Sequence, residues 1–87
     1  MIIKYHKNFK KQFNKLIEKD RARVISAIEI FIENPNSASL HNHGLVGNLI
    51  GKRAISASTD LRIIFEEFDS YTLVILLDLG KHNQVYR

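Results

Sequence analysis

The apolar positions change period several times along this chain. Ile2, Ile3 and Tyr5 around Lys4 make a short apolar run that predicts a strand. From Lys7 the spacing becomes helical: Phe9, Phe13, Leu16 and Ile17 stand at i, i+4, i+7 and i+8, with Lys10, Lys11 and Lys15 mainly outside that stripe. Asp20 is suited to cap a second helix, whose apolar positions are Val24, Ile25, Ile28, Phe31 and Ile32. Asn34-Pro35-Asn36 stops it, because proline pushes the preceding residue out of helical dihedrals. Two amphipathic helices joined by a few residues form an antiparallel hairpin.

The second half reads as strands. Residues 35–50, rich in Asn, Ser, His and Gly, predict a loop or a short irregular strand. Residues 52–58 alternate weakly, and residues 61–68 form a clearer strand rich in Ile and Phe. Asp69-Ser70 is a turn, and the nearly continuous apolar run 71–79 predicts a central strand covered on both faces. The expectation is an α+β fold of order β-α-α-β-β-β, an antiparallel sheet with the helical hairpin packed on one side. With no repeat, low-complexity tract or linker, residues 1–87 are expected to form a single domain.

Composition narrows the classes. At 87 residues and 45% apolar content, a small packed core is feasible and wholesale disorder is not expected. The absence of cysteine removes disulfides and thiolate zinc sites. No run approaches the roughly 18 apolar residues of a membrane span, and the start lacks the long apolar core of a signal peptide, so a cytoplasmic location without membrane contact is expected. The net charge of +4 favours polyanionic or acidic partners. Eight of the 13 Lys and Arg fall between Lys4 and Arg23, opposed there only by Glu18 and Asp20; a solvated helix face explains them equally well.

The candidate chemistry lies in two stretches, His43–Phe65 and Gly80–Arg87. RNA cleavage without a metal needs a base for the 2′-hydroxyl, charge stabilisation at phosphorus and an acid for the leaving 5′-oxygen. Histidine serves either proton transfer because its reference pKa of about 6.5 lies near cellular pH. His82 follows the apolar strand through Gly80, where a side chain can reach a cleft, and His43 precedes Gly44 in the loop; each could equally be a surface histidine. Arg53 and Arg62 are the candidate phosphate partners. Arg62 lies within an apolar strand, so it must reach solvent, pair with a carboxylate such as Asp60 or Glu66, or line a site. Asp60 could act as base, orient a histidine or cap the turn before the strand. Lys52 and Lys81 are electrostatic helpers or ordinary surface charge, and Tyr86 is a stacking platform for a base or an edge-packing residue. His6 and His41 are read as incidental, and a metal site on His41 and His43 lacks further ligands.

The order of these pieces resembles the RelE/ParE toxin superfamily, and within it the YafQ-like branch of ribosome-dependent mRNA interferases. The resemblance spans nearly the whole chain. It rests on Phe9-Lys10-Lys11-Gln12-Phe13, His43-Gly44-Leu45-Val46-Gly47, Gly51-Lys52-Arg53, Asp60-Leu61-Arg62-Ile63-Ile64-Phe65, Gly80-Lys81-His82 and Val85-Tyr86. It implies a RelE-like fold and the toxin of a type II toxin–antitoxin system, a hydrolase that enters the ribosomal A site, contacts 16S rRNA and cuts mRNA there without a metal or cofactor. In that reading His82 is the general acid, His43 matches the histidine of a His-x-Leu-x-Gly motif, Asp60 matches the acidic active-site residue, Tyr86 is the aromatic that meets substrate, and Arg62 matches the phosphate-binding arginine of the RelE branch. Ser56 stands where the YafQ-like pattern has a further histidine and Leu61 where it has tryptophan, which leaves the base open between His43 and Asp60. A cognate antitoxin is the implied protein partner, its acidic or amphipathic segment folding on the basic domain. Two other readings use the same fold: a ParE-like gyrase inhibitor that acts by binding, and an inactive module that only binds its antitoxin.

Overall fold

The computed structural model describes residues 1–86. The chain runs β1 (Ile2–Tyr5), α1 (Lys7–Lys15), α2 (Glu18–Glu33), β2 (His43–Gly44), β3 (Arg53–Ser56), β4 (Leu61–Phe68), β5 (Leu73–Lys81) and α3 (His82–Val85). Among the described residues, no helix is long and apolar enough to cross a membrane. The strands form one sheet in the order β1-β5-β4-β3-β2. Pairing is antiparallel from β2 to β5, whereas β1 runs parallel to β5, a departure from the expected all-antiparallel sheet. The first strand docks at the edge beside the last, through Ile2 N–H to Thr72 O (2.8 Å) and His6 N–H to Leu76 O (2.9 Å).

The helical pair covers one sheet face, as the spacing predicts. Phe9, Val24, Ala27 and Phe31 share a buried cluster with Ile55, Leu61, Ile63, Phe65, Val74, Leu76 and Leu79. Phe31 meets Phe65 edge-on at 5.0 Å and Tyr71 at 5.9 Å, contacts that add about 0.5–1.5 kcal/mol each beyond burial. The helix boundaries differ from the sequence reading. α1 ends at Lys15, so Ile17 leaves the stripe and becomes the exposed N-cap of α2 without a side-chain bond. Asp20 is therefore no cap; it sits in the first turn beside the positive end of the helix dipole and pairs with Arg23 at 3.1 Å. Ile25 and Ile32 point outward, at 50% and 52% exposure. His6 is the N-cap of α1, its Nδ1 accepting from Asn8 N–H at 3.0 Å.

The opposite sheet face carries a smaller cluster of Ala54, Ile64 and Val85, with Leu45, Leu77 and Tyr86 packed against it. The β4–β5 register slips between Ile64 and Phe65, pairing Ile64 with Asp78 and Phe65 with Leu76. This bulge leaves Leu77 as the extra residue, packed on the smaller cluster, while Asp78 Oδ1 accepts from Asn8 Nδ2 of α1 at 2.9 Å. The run expected from residue 71 begins as a strand only at Leu73, because Asp69, Ser70 and Tyr71 all have positive φ (56°, 52° and 67°). That left-handed turn swings the Tyr71 ring into the core instead.

Candidate functional site

The site forms where β4 begins and β5 ends, on the smaller-cluster face. After Lys81 the backbone turns into α3, closed by Lys81 N–H donating to Gln84 Oε1 at 2.8 Å. Gly80 lets this turn lie close: a Cβ there would meet Gln84 Oε1 at 2.9 Å and Val85 Cγ1 at 3.3 Å. Val85 buries itself over Ala54 and Ile64. The turn sets His82 and Tyr86 against each other, ring centroids 4.4 Å apart at 74°. His82 N–H also donates to Asp60 O at 3.1 Å, tying the acid candidate to the loop that carries the carboxylate.

Asp60 is exposed and lies 3.7 Å from Lys81 Nζ. Both side chains are more than half exposed, so this pair adds little stability and leaves the carboxylate accessible. Asp60 does not cap its own turn. Ser58 Oγ does, accepting from Asp60 N–H at 3.4 Å and Leu61 N–H at 3.1 Å.

Arg62 shares a cross-strand row with Ser56 on β3 and Gly80 on β5. It takes none of the carboxylate partners the sequence suggested. Its Nη1 donates to the carbonyls of Ser58 and Leu61 at 3.0 Å and Thr59 at 3.3 Å. Among the described residues its Nε and Nη2 find no protein acceptor, which leaves three N–H donors for an anion. Tyr86 completes the group. Its hydroxyl is buried without a hydrogen-bond partner among the described residues. Burial pushes its pKa above the ordinary 10.0, and the nearby Arg62 guanidinium pulls part of the way back.

The remaining candidates lie elsewhere. Arg53 was paired with Arg62 as a phosphate ligand, but it sits three positions from Ser56 on β3 and therefore faces the other side of the sheet. There its Nε donates to Asn42 Oδ1 at 2.9 Å, and Asn42 Nδ2 donates to Pro35 O and Tyr71 Oη, each at 3.0 Å. This is a strut for the loop after α2. Lys52 lies at the far end of β3 from Ser56, about 13 Å along the strand. His43 pairs with Ala54 on β2, three strand spacings or about 14 Å from β5. Its Nδ1–H donates to His41 O at 2.8 Å. His43–Phe65 is thus not a single wall; only Asp60 and Arg62 from it meet His82, Lys81 and Tyr86.

The sequence reading set aside His41, yet it lines a cavity together with Arg62. His41 lies in the loop before β2, and its approach to Ser56 and Arg62 follows from how that loop folds back on the sheet, which is not written in local sequence. Among the described residues no group of three His, Asp or Glu side chains is placed to hold a metal ion.

A sheet of this order with two helices on one face has the RelE-like fold. No family model matches the sequence, and no curated protein matches it. The fold is similar to that of YafQ from E. coli strain BL21(DE3), at 23% identity and a TM-score of 0.79 over 98% of this chain and 97% of that one. It is also similar to a YoeB/ParE toxin from Agrobacterium tumefaciens, at 10% identity and TM-score 0.77 over 94% and 99% of the two chains. An archaeal RelE, in its complex with RelB from Pyrococcus horikoshii OT3, matches at 18% identity and TM-score 0.75 over 95% and 96%.

Proposed function

We propose that this protein is the toxin of a type II toxin–antitoxin pair and an endoribonuclease that cuts mRNA on the ribosome. The observation that carries this reading is the convergence of His82, Asp60, Arg62, Lys81 and Tyr86 at one sheet edge of a RelE-like fold. His82 protonates the leaving 5′-oxygen. Asp60, bonded through its backbone to His82, accepts the 2′-hydroxyl proton; His43 lies too far across the sheet to share one phosphate with His82. The free donors of Arg62, with Lys81, neutralise the charge that builds at phosphorus. The products carry a 2′,3′-cyclic phosphate and a 5′-hydroxyl. The likeness to a RelE held in a RelE–RelB complex supports a cognate antitoxin as the protein partner, and the net charge of +4 supports attraction to mRNA and rRNA.

The deciding experiment maps mRNA 5′ ends after brief induction of the wild-type chain and of His82→Ala. Wild type should give new 5′ ends within translated regions. His82→Ala should lose about 10²- to 10⁴-fold in cleavage while still folding, because the side chain is exposed. Growth arrest without new 5′ ends, accompanied by loss of gyrase supercoiling, would refute the nuclease reading.

A further inference from the structure

We propose that the cavity beside Arg62 is a second subsite, which takes the ribose-phosphate unit next to the scissile one, with His41 as its cationic contact. This rests on the RNA reading above and extends it to a residue outside the cluster. The cavity measures about 490 Å³ and is lined by Ser39, His41, Ser56, Ala57, Ser58, Thr59 and Arg62. That volume falls within the roughly 300–1,000 Å³ typical of small-ligand sites. Its chemistry is one-sided: four hydroxyls, an imidazole and a guanidinium, with no carboxylate in the lining among the described residues. Asp60 and Arg23 lie in an adjoining recess instead. Hydroxyls both donate and accept, which suits a ribose 2′-hydroxyl as well as phosphate oxygens.

Placement ties the cavity to the catalytic edge. Ser56, Arg62 and Gly80 fall in one row across β3, β4 and β5, His82 follows two residues after Gly80, and His41, in the loop before β2, lines the cavity with Ser56 and Arg62. A strand of RNA with its reacting phosphate at His82 and Asp60 would meet Arg62 next and His41 after it.

The loop is built to hold His41 in place. Leu40 is anchored in the core at 1% exposure, while His41 adopts φ 50° and ψ 44°, a left-handed conformation that few non-glycine residues take, histidine more often than most. His43 donates from Nδ1 to the His41 carbonyl at 2.8 Å and so acts as a positioning residue for this loop. Such locally costly geometry persists where the surroundings enforce it, and here it presents an exposed imidazole beside a guanidinium.

The test measures equilibrium binding of an unmodified single-stranded RNA decamer to the full chain in the non-cleaving His82→Ala background, across a range of salt concentrations. His41→Asn is the informative variant, because asparagine tolerates the left-handed backbone but carries no charge. It should weaken binding about tenfold and lower the log–log salt slope by about 0.7 for the lost phosphate contact. His41→Lys should restore both the affinity and the slope. Unchanged affinity and slope in His41→Asn would overturn the subsite. RNA binding that depends on His41 in a chain that never cleaves RNA would keep the subsite and remove the nuclease reading. Cleavage by a chain indifferent to His41 would do the reverse, and no RNA binding at all would sink both.

Discussion

Tyr86 carries a buried hydroxyl that bonds to nothing among the described residues, while its ring packs on His82. An unsatisfied buried polar group costs roughly 1–3 kcal/mol, so Tyr86→Phe should hold or raise stability by about 1 kcal/mol. Tyr86→Leu keeps apolar bulk but loses the ring contact with His82, and should lower cleavage by more than it lowers the melting temperature. The same hydroxyl gives an alkaline signature. Its folded pKa is raised above 10.0, chiefly by burial, so the unfolded chain releases its proton first. Stability from this group is therefore complete below pH 10 and falls as pH rises through the raised folded value. Urea melts from about pH 9 upward should show a steeper loss in wild type than in Tyr86→Phe. Residue types alone made His82, Asp60 and Arg62 readable as candidates; the partners of each, backbone carbonyls for Arg62 and a tyrosine ring for His82, were not.

At the scale of elements, the two arginines offered as a pair by the sequence belong to different machines. Arg53 braces the loop after α2 through Asn42, Tyr71 and Pro35, whereas Arg62 looks into the cavity on the other face. Arg53→Ala should cost about 1–3 kcal/mol of stability by leaving Asn42 Oδ1 unpaired, with little change in cleavage per folded molecule. Arg62→Ala should lower cleavage about 10²- to 10³-fold with a much smaller change in the urea midpoint. Parallel melts and single-turnover cleavage of the two variants separate these outcomes. Sequence could not assign them, since Arg53 and Arg62 differ in face only through the β3–β4 register. Element boundaries failed for a similar reason. Leu16 and Ile17 both fit a helical stripe, but the break between α1 and α2 at that point leaves Leu16 packed and Ile17 exposed.

Across the whole molecule, 87 residues give a core whose centre is Phe31 against Phe65 and Tyr71. Phe31→Ala should cost about 3–5 kcal/mol, a large share of the roughly 5–15 kcal/mol that folded domains possess. Chemical denaturation should therefore show a midpoint well below that of wild type. A melting midpoint close to wild type would contradict the central place given to that ring. The periodicities at Phe9–Phe13, Val24–Phe31 and Leu61–Phe68 by themselves determined the two helices, the main strand and the α+β class, because which face is apolar is a local property. Only the tertiary structure decided that β1 lies parallel to β5, that α3 sets His82 against Tyr86 and Tyr86 near Arg62, and that His41 rather than Arg53 shares the cavity of Arg62. Those facts depend on strand order and register between residues far apart in the chain, and no local pattern of side chains encodes them.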